Sequence, residues 1–188
     1  MRILFILFLV FQSFIQAQTL KEKQLFELLK TDNHFAMIRH AYAPGFGDPV
    51  NFDINIKNTQ RNLNKTGMKQ AENIGKLFKK NEIIDADIYS SYWFRCYETA
   101  KLMDLGEVTK IGGLNSFYED HFDKKQTANI LKKWLATKEI KKPLILVTHQ
   151  VNISNLTNRY ANSGEIVIVK KLNNDKFEVA GSIATLKN

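Results

Sequence analysis

The run Pro143-Leu144-Ile145-Leu146-Val147-Thr148 constrains the chain more than any other segment. Four consecutive large apolar side chains cannot alternate between core and solvent, so both faces of this strand must be covered, as in a parallel sheet with helices on each side. The rest of the chain agrees. Short strands are expected at residues 34–38 and 86–89, and helical periods at 63–80 (Met68, Ala71, Ile74, Leu77, Phe78), 92–103 and 126–135 (Ile130, Leu131, Trp134). A helix over 19–30, a short strand at 109–111 and an antiparallel pair, 165–170 and 177–185, around the turn Asn173-Asn174-Asp175 complete the pattern. The fold class is therefore α/β: a three-layer α/β/α sandwich on a mostly parallel central sheet with antiparallel edge strands.

Residues 43 to about 55 break this regularity. Pro44, Gly45, Gly47, Asp48 and Pro49 fall within six positions, a density of turn formers that excludes helix or strand. Loops of this length inside a compact domain are usually functional or disordered. With 188 residues, 11% of them aromatic, the chain can build one core without covalent help, and its single cysteine, Cys96, excludes an internal disulfide or a thiolate metal cluster. The formal net charge of +8 favours anionic partners. Nucleic acid is not the expected one, because the Lys-Lys pairs are scattered and lack interleaved aromatics for stacking.

The amino terminus reads as a separate object. Met1-Arg2 is followed by nine apolar residues, Ile3 to Phe11, and then by a more polar stretch containing Ala17. That is the layout of a secretory signal peptide, expected over 1–17, with one domain over 18–188. The apolar run is too short for a permanent span of about 20 residues, so no stable membrane insertion is expected after cleavage, and the destination is periplasmic or secreted.

Chemistry concentrates at the strand ends. His40 follows the strand at 34–38, His149 follows the apolar run at 144–148, and Arg95 lies one helical turn beyond Ser90-Ser91. In an open parallel sheet, ligands bind outside the carboxyl ends of the strands, so the two imidazoles are expected side by side. Arg39 and Arg95 can offer guanidinium forks to phosphate oxygens. A neutral imidazole in that positive field keeps its lone pair, which makes His40 a candidate nucleophile for phosphoryl transfer. Arg61, at the end of the Gly/Pro loop, and Gln150, at the start of the helix after His149, are candidate binding residues. Four histidines without metal-ligand spacing argue against a metal site.

These residues carry a family resemblance. Met37-Ile38-Arg39-His40-Ala41 resembles the Arg-His-Gly signature of the histidine phosphatase superfamily, the phosphoglycerate mutase-like proteins. Ser91 to Ala100 is similar to that family's S-x-x-x-R-x-x-x-T-A segment, Leu63 to Ala71 to its L-x-x-x-G-x-x-Q-A helix, and Val147-Thr148-His149 to its second-histidine segment. The resemblance implies His40 as nucleophile, a phosphate pocket of Arg39, Arg95 and His149, and no metal or cofactor. Position 41 is Ala where Gly is usual, and a positive φ there would be costly. The family's usual acid positions hold Ser116 and Gln150, which leaves Glu119 and Asp120 as substitute proton donors.

The function expected is that of an exported, metal-independent phosphatase hydrolysing phosphate monoesters or anhydrides through a phosphohistidine on His40. Its partner would be a phosphorylated small molecule or, by analogy alone, a cell-envelope sugar. Two alternatives stay open: a phosphomutase, and a catalytically silent module that binds phosphorylated glycans or lipids.

Overall fold

A computed structural model describes residues 21–173 and 176–186. The expected signal peptide, the first residues of the helix over 19–30 and the tip of the turn at Asn174-Asp175 lie outside the described residues. Helical residues 21–28 form α1. The elements after it are β1 (His34–Arg39), α2 (Lys65–Lys80), β2 (Asp87–Ser90), α3 (Phe94–Met103), β3 (Val108–Lys110), α4 (Lys124–Thr137), β4 (Leu144–Thr148), α5 (Gln150–Thr157), β5 (Ile166–Lys171) and β6 (Phe177–Ile183).

The six strands make one sheet in the order β3-β2-β4-β1-β5-β6. The first four are parallel, while β5 runs antiparallel to β1 and to β6, so both antiparallel ladders lie toward one edge. Every residue of β4 is buried, as its apolar run required. Alternation in β1 separates the two faces. Ala36 and Ile38 pack with Phe26 of α1, Ile74 and Phe78 of α2 and Cys96 and Ala100 of α3, whereas Phe35 and Met37 pack with Leu131 and Leu135 of α4 and Ile153 of α5. Three layers result.

Local sequence explains the helix positions. Asn64 caps α2 by accepting from the Gly67 N–H at 2.9 Å, and Asp123 caps α4 by accepting from the Gln126 N–H at 2.6 Å. On α2 the inward face is the one that the apolar period suggests, through Ala71, Ile74 and Phe78, widened by Gly67, Gln70 and Gly75. Gly67 and Gly75 face inward, where a Cβ would come within 1.9 Å of the Tyr42 carbonyl oxygen and 2.0 Å of the Met103 carbonyl oxygen. Glycine thus lets two backbones touch the helix, and Met68 turns to solvent. On α4, Thr127, Leu131 and Leu135 are buried and Ile130 is exposed. Among the described residues no helix is long and apolar enough to cross a membrane.

Candidate functional site

The register of the sheet brings the three chemically interesting strand ends level. Arg39 on β1 pairs with Thr148 on β4, and Ser90 on β2 pairs with Val147. The ladder continues one step on each side, through His40 N–H to Thr148 O at 2.9 Å and Ser91 N–H to Val147 O at 3.1 Å. His40 and His149 therefore emerge side by side, with ring centroids 5.6 Å apart. They open on a cavity of about 490 Å³ that Arg39, Arg61, Arg95, Ser116 and Gln150 also line.

His40 is oriented from both sides. Its Nδ1 lies 2.8 Å from the Ala41 carbonyl, which can only accept, so Nδ1 donates and the lone pair of the neutral ring sits on Nε2. The Ala41 N–H donates to Thr99 Oγ1 at 2.9 Å, and Thr99 donates in turn to the Arg95 carbonyl, which ties the nucleophile's segment to the helix carrying Arg95. Ala41 does not adopt a positive φ, so the absence of glycine there brings no strain. The family-like residues of α2 have a related duty: Gln70 accepts from the Tyr42 N–H at 2.8 Å and donates to the Ser163 carbonyl at 2.7 Å.

Burial holds the His40 imidazole well below its ordinary pKa, with the charge of Arg95 next in effect. His149 is lowered in the same way, first by burial and then by Arg95. Its Nε2 is 2.9 Å from Ser91 Oγ, and its ring packs edge-on to Trp93 at 5.0 Å. Burial also pushes the Cys96 thiol behind His149 up to about 12, which leaves it protonated and unreactive.

The three arginines are not equivalent. Arg39 Nη1 donates to Tyr160 Oη at 3.2 Å and to the Ala161 carbonyl at 3.0 Å. Arg61 braces the loop on which it ends, its Nε donating to the Gly47 carbonyl at 3.0 Å and its Nη1 to the Ala43 carbonyl. Burial and the neighbouring Arg95 charge bring Arg61 down to about 10. Arg95 meets a residue that sequence reading passed over as a turn former, Asp48. The pair is bidentate, Nη1 to Oδ1 at 2.7 Å and Nη2 to Oδ2 at 3.1 Å, and Asp48 accepts further from Trp93 Nε1 at 2.9 Å and the Arg61 N–H at 2.9 Å. Burial favours the neutral acid, but these donors outweigh it and hold the Asp48 carboxyl below its usual range. A buried arginine needs a counter-ion, and that need was the one sequence signal pointing to an acid nearby.

Around Asp48 the Gly/Pro loop forms a wall rather than a free strand of chain. Gly45 and Gly47 take positive φ values of 90° and 64°. Phe52 stacks on Trp93 at 5.2 Å and packs on His121 at 4.2 Å. Buried Gln60 donates to the Asp53 and Ile54 carbonyls and accepts from the Phe94 N–H. The substitute acids do not reach the cavity: Glu119 packs its carboxylate against Gly47 and Asp120 is exposed, so among the described residues no Asp or Glu lines it. Gln150 lines the cavity, yet its amide is occupied, accepting from the Ala161 N–H and donating to Ser154 Oγ. Among the described residues no three His, Cys, Asp or Glu side chains cluster as a metal site would require.

The chain is similar in structure to the protein histidine phosphatase SixA complexed with tungstate, at 12% identity and TM-score 0.58, over 81% of this chain and 97% of the other. It is also similar to mycobacterial glucosyl-3-phosphoglycerate phosphatase complexed with VO3, at 13% identity and TM-score 0.56, over 82% and 100% of the two chains. A protein from Agrobacterium tumefaciens described as phosphohistidine phosphatase SixA gives 15% identity and TM-score 0.56, over 82% and 99%. These likenesses establish the fold. No curated protein sequence matches the chain. The profile of the histidine phosphatase superfamily, branch 1, matches residues 36–139, more than half of the sequence and the part that holds Arg39, His40 and Arg95. The chain belongs to the histidine phosphatase superfamily, branch 1.

Proposed function

We propose that the chain is an exported, metal-independent phosphatase that hydrolyses phosphate monoesters or anhydrides through a phosphohistidine on His40. The observation that carries this reading is the hydrogen bond from His40 Nδ1 to the Ala41 carbonyl, which leaves an unprotonated Nε2 beside three arginines. In the first step His40 Nε2 attacks phosphorus, the bond from phosphorus to the leaving oxygen breaks, and that oxygen takes up a proton. In the second step water attacks the phosphohistidine, the phosphorus–nitrogen bond breaks and inorganic phosphate leaves. Arg39, Arg95 and His149 hold the phosphoryl oxygens while charge redistributes, and Arg61 and Gln150 shape the binding side.

Neither Glu119 nor Asp120 lines the cavity, so the leaving oxygen takes its proton from solvent, which suits leaving groups that need little protonation, such as anhydrides. The mouth is aromatic. Tyr42, Phe46, Tyr118 and Tyr160 line it, and Phe46 is fully exposed. Such a rim suits a phosphorylated small molecule with a ring to lay against it, a sugar phosphate among them. Export rests on the order of charge, apolar run and small residue in the first 17 positions.

The test is phosphate release from a chromogenic aryl phosphate with chelator present, with the His40→Ala variant beside the wild type. Loss of at least about a thousandfold in turnover is expected in the variant. Equal turnover in the two proteins would reject the phosphohistidine route, and no turnover in either would favour a binding module.

A further inference from the structure

We propose that Asp48 is the positioning residue of the phosphoryl site: by occupying the Nη1–Nη2 end of Arg95, it turns the Nε edge of that guanidinium toward the phosphoryl group. The proposal rests on the phosphatase reading above and deepens it.

A guanidinium carries five N–H groups and can grip an oxyanion by its end or by its Nε side. In Arg95 both Nη1 hydrogens are used, on Asp48 Oδ1 at 2.7 Å and on the Arg61 carbonyl at 3.2 Å, and one Nη2 hydrogen is used on Asp48 Oδ2 at 3.1 Å. The second Nη2 hydrogen and Nε–H remain, on one edge. Arg95 Nε is buried and has no hydrogen-bond partner among the described residues. Arg39 repeats the arrangement, with Nη1 tied to protein and a buried Nε that also has no hydrogen-bond partner among the described residues. Asp48 is itself immobile, since Trp93 Nε1 and the Arg61 N–H hold its two oxygens and its side chain is 3% exposed.

A carboxylate so close to an anion site is an electrostatic liability, and that gives the proposal a sign. If Asp48 acted by charge alone, removing it would tighten anion binding. If it positions Arg95, removing its charge frees the guanidinium and weakens binding. A third possibility, that Asp48 only staples the loop, predicts weakening that does not depend on Arg95.

The experiment is a double-mutant cycle on the full chain with Asp48→Asn, Arg95→Ala and the pair. Two readouts are taken: kcat and KM on an aryl phosphate, and calorimetric affinity for tungstate in a His40→Ala background, which needs no turnover. Asp48→Asn is expected to weaken tungstate binding about tenfold and to lower kcat by about ten- to a hundredfold, with under a twofold further loss once Arg95 is Ala. Tighter tungstate binding in Asp48→Asn, or the same loss in both backgrounds, would overturn the proposal. Should Asp48→Asn not fold, Asp48→Glu keeps the charge and displaces the carboxylate from the Nη1–Nη2 end of Arg95. It must then show a loss that vanishes in the Arg95→Ala background, and a loss that persists there overturns the proposal. Absence of turnover in the wild type would sink the phosphatase reading alone, because the tungstate arm still decides the role of Asp48.

Discussion

The floor of the cavity and its loop wall reach the same degree of order by opposite means. The floor is set by the sheet. His40 and His149 are placed by parallel ladders that run straight into them, and moving either would mean shifting β1 against β4. The wall has no ladder. From Ala41 to Ile56 it has neither helix nor strand, and it is held by single side chains: Asp48 on Arg95 and Trp93, Gln60 on Phe94, Phe52 on Trp93. Removing one residue from the floor should therefore change chemistry in place, whereas removing one from the wall should change where the chemistry is aimed.

The largest test of that difference sets Arg95 against Arg61. Both are cations lining one cavity, but Arg95 has an edge to offer phosphate while Arg61 spends Nε and Nη1 on the loop's own carbonyls. Lysine keeps the charge and loses the fork. Arg95→Lys is expected to lower kcat/KM by about a hundred- to a thousandfold, mainly through kcat, as for loss of a group that holds the transition state. Arg61→Lys should cost about tenfold, mainly through KM. Equal losses from the two, measured on one aryl phosphate, would erase the distinction.

The floor was largely legible in the sequence and the wall was not, for physical reasons. Apolar runs report burial, and burial on both faces fixes a strand inside a parallel sheet, so residues just past such runs fall at the ligand-binding edge. His40, His149 and Arg39 are found that way, and Arg95 by its place one helical turn beyond the end of another strand. Asp48 has no such signal, since an aspartate between Gly47 and Pro49 looks like any turn former, and only the closure of the loop onto α3 shows what it serves. Glu119 and Asp120 are acids near the right segment, but that segment takes two successive left-handed residues, φ 56° and 54°, and Glu119 is turned to the loop. Ile130 illustrates the limit of periodicity. A helix seam admits neighbours on either side, and α4 buries the Thr127, Leu131 and Leu135 side instead.

A smaller effect is expected at Gly47, where the wall can be shifted without touching any group that holds phosphate by its side chain. Its φ of +64° disfavours any side chain, and an added Cβ would lie 2.5 Å from Glu119 Oε1. The carboxylate end can swing away, so the main cost of Gly47→Ala is the left-handed backbone, about 1–2 kcal/mol. Relief of that strain moves the neighbouring Asp48. A loss of up to about tenfold in kcat/KM is expected, with far-ultraviolet circular dichroism unchanged. An unaltered kcat/KM alongside a lowered melting temperature would mean that the loop's conformation is not coupled to the site.

The smallest effect separates floor from wall by pH. His40 and His149 are buried and neutral in the folded protein, whereas in the unfolded chain each takes up a proton near pH 6.5. A histidine whose folded pKa is depressed contributes stability that is complete above its unfolded pKa and declines as the pH falls below it. The depressed carboxyl of Asp48 acts lower, its contribution draining only as the pH drops through about 4 and below. Urea denaturation of the wild type and of His40→Ala should therefore diverge by about 1 kcal/mol between pH 6.5 and 5.5, the wild type losing more. His34, also lowered by burial, is common to both proteins and cancels in the difference. An unchanged difference across that interval would mean that His40 already carries a proton in the folded state at pH 5.5, and a protonated ring donates through both nitrogens and has no lone pair left for phosphorus.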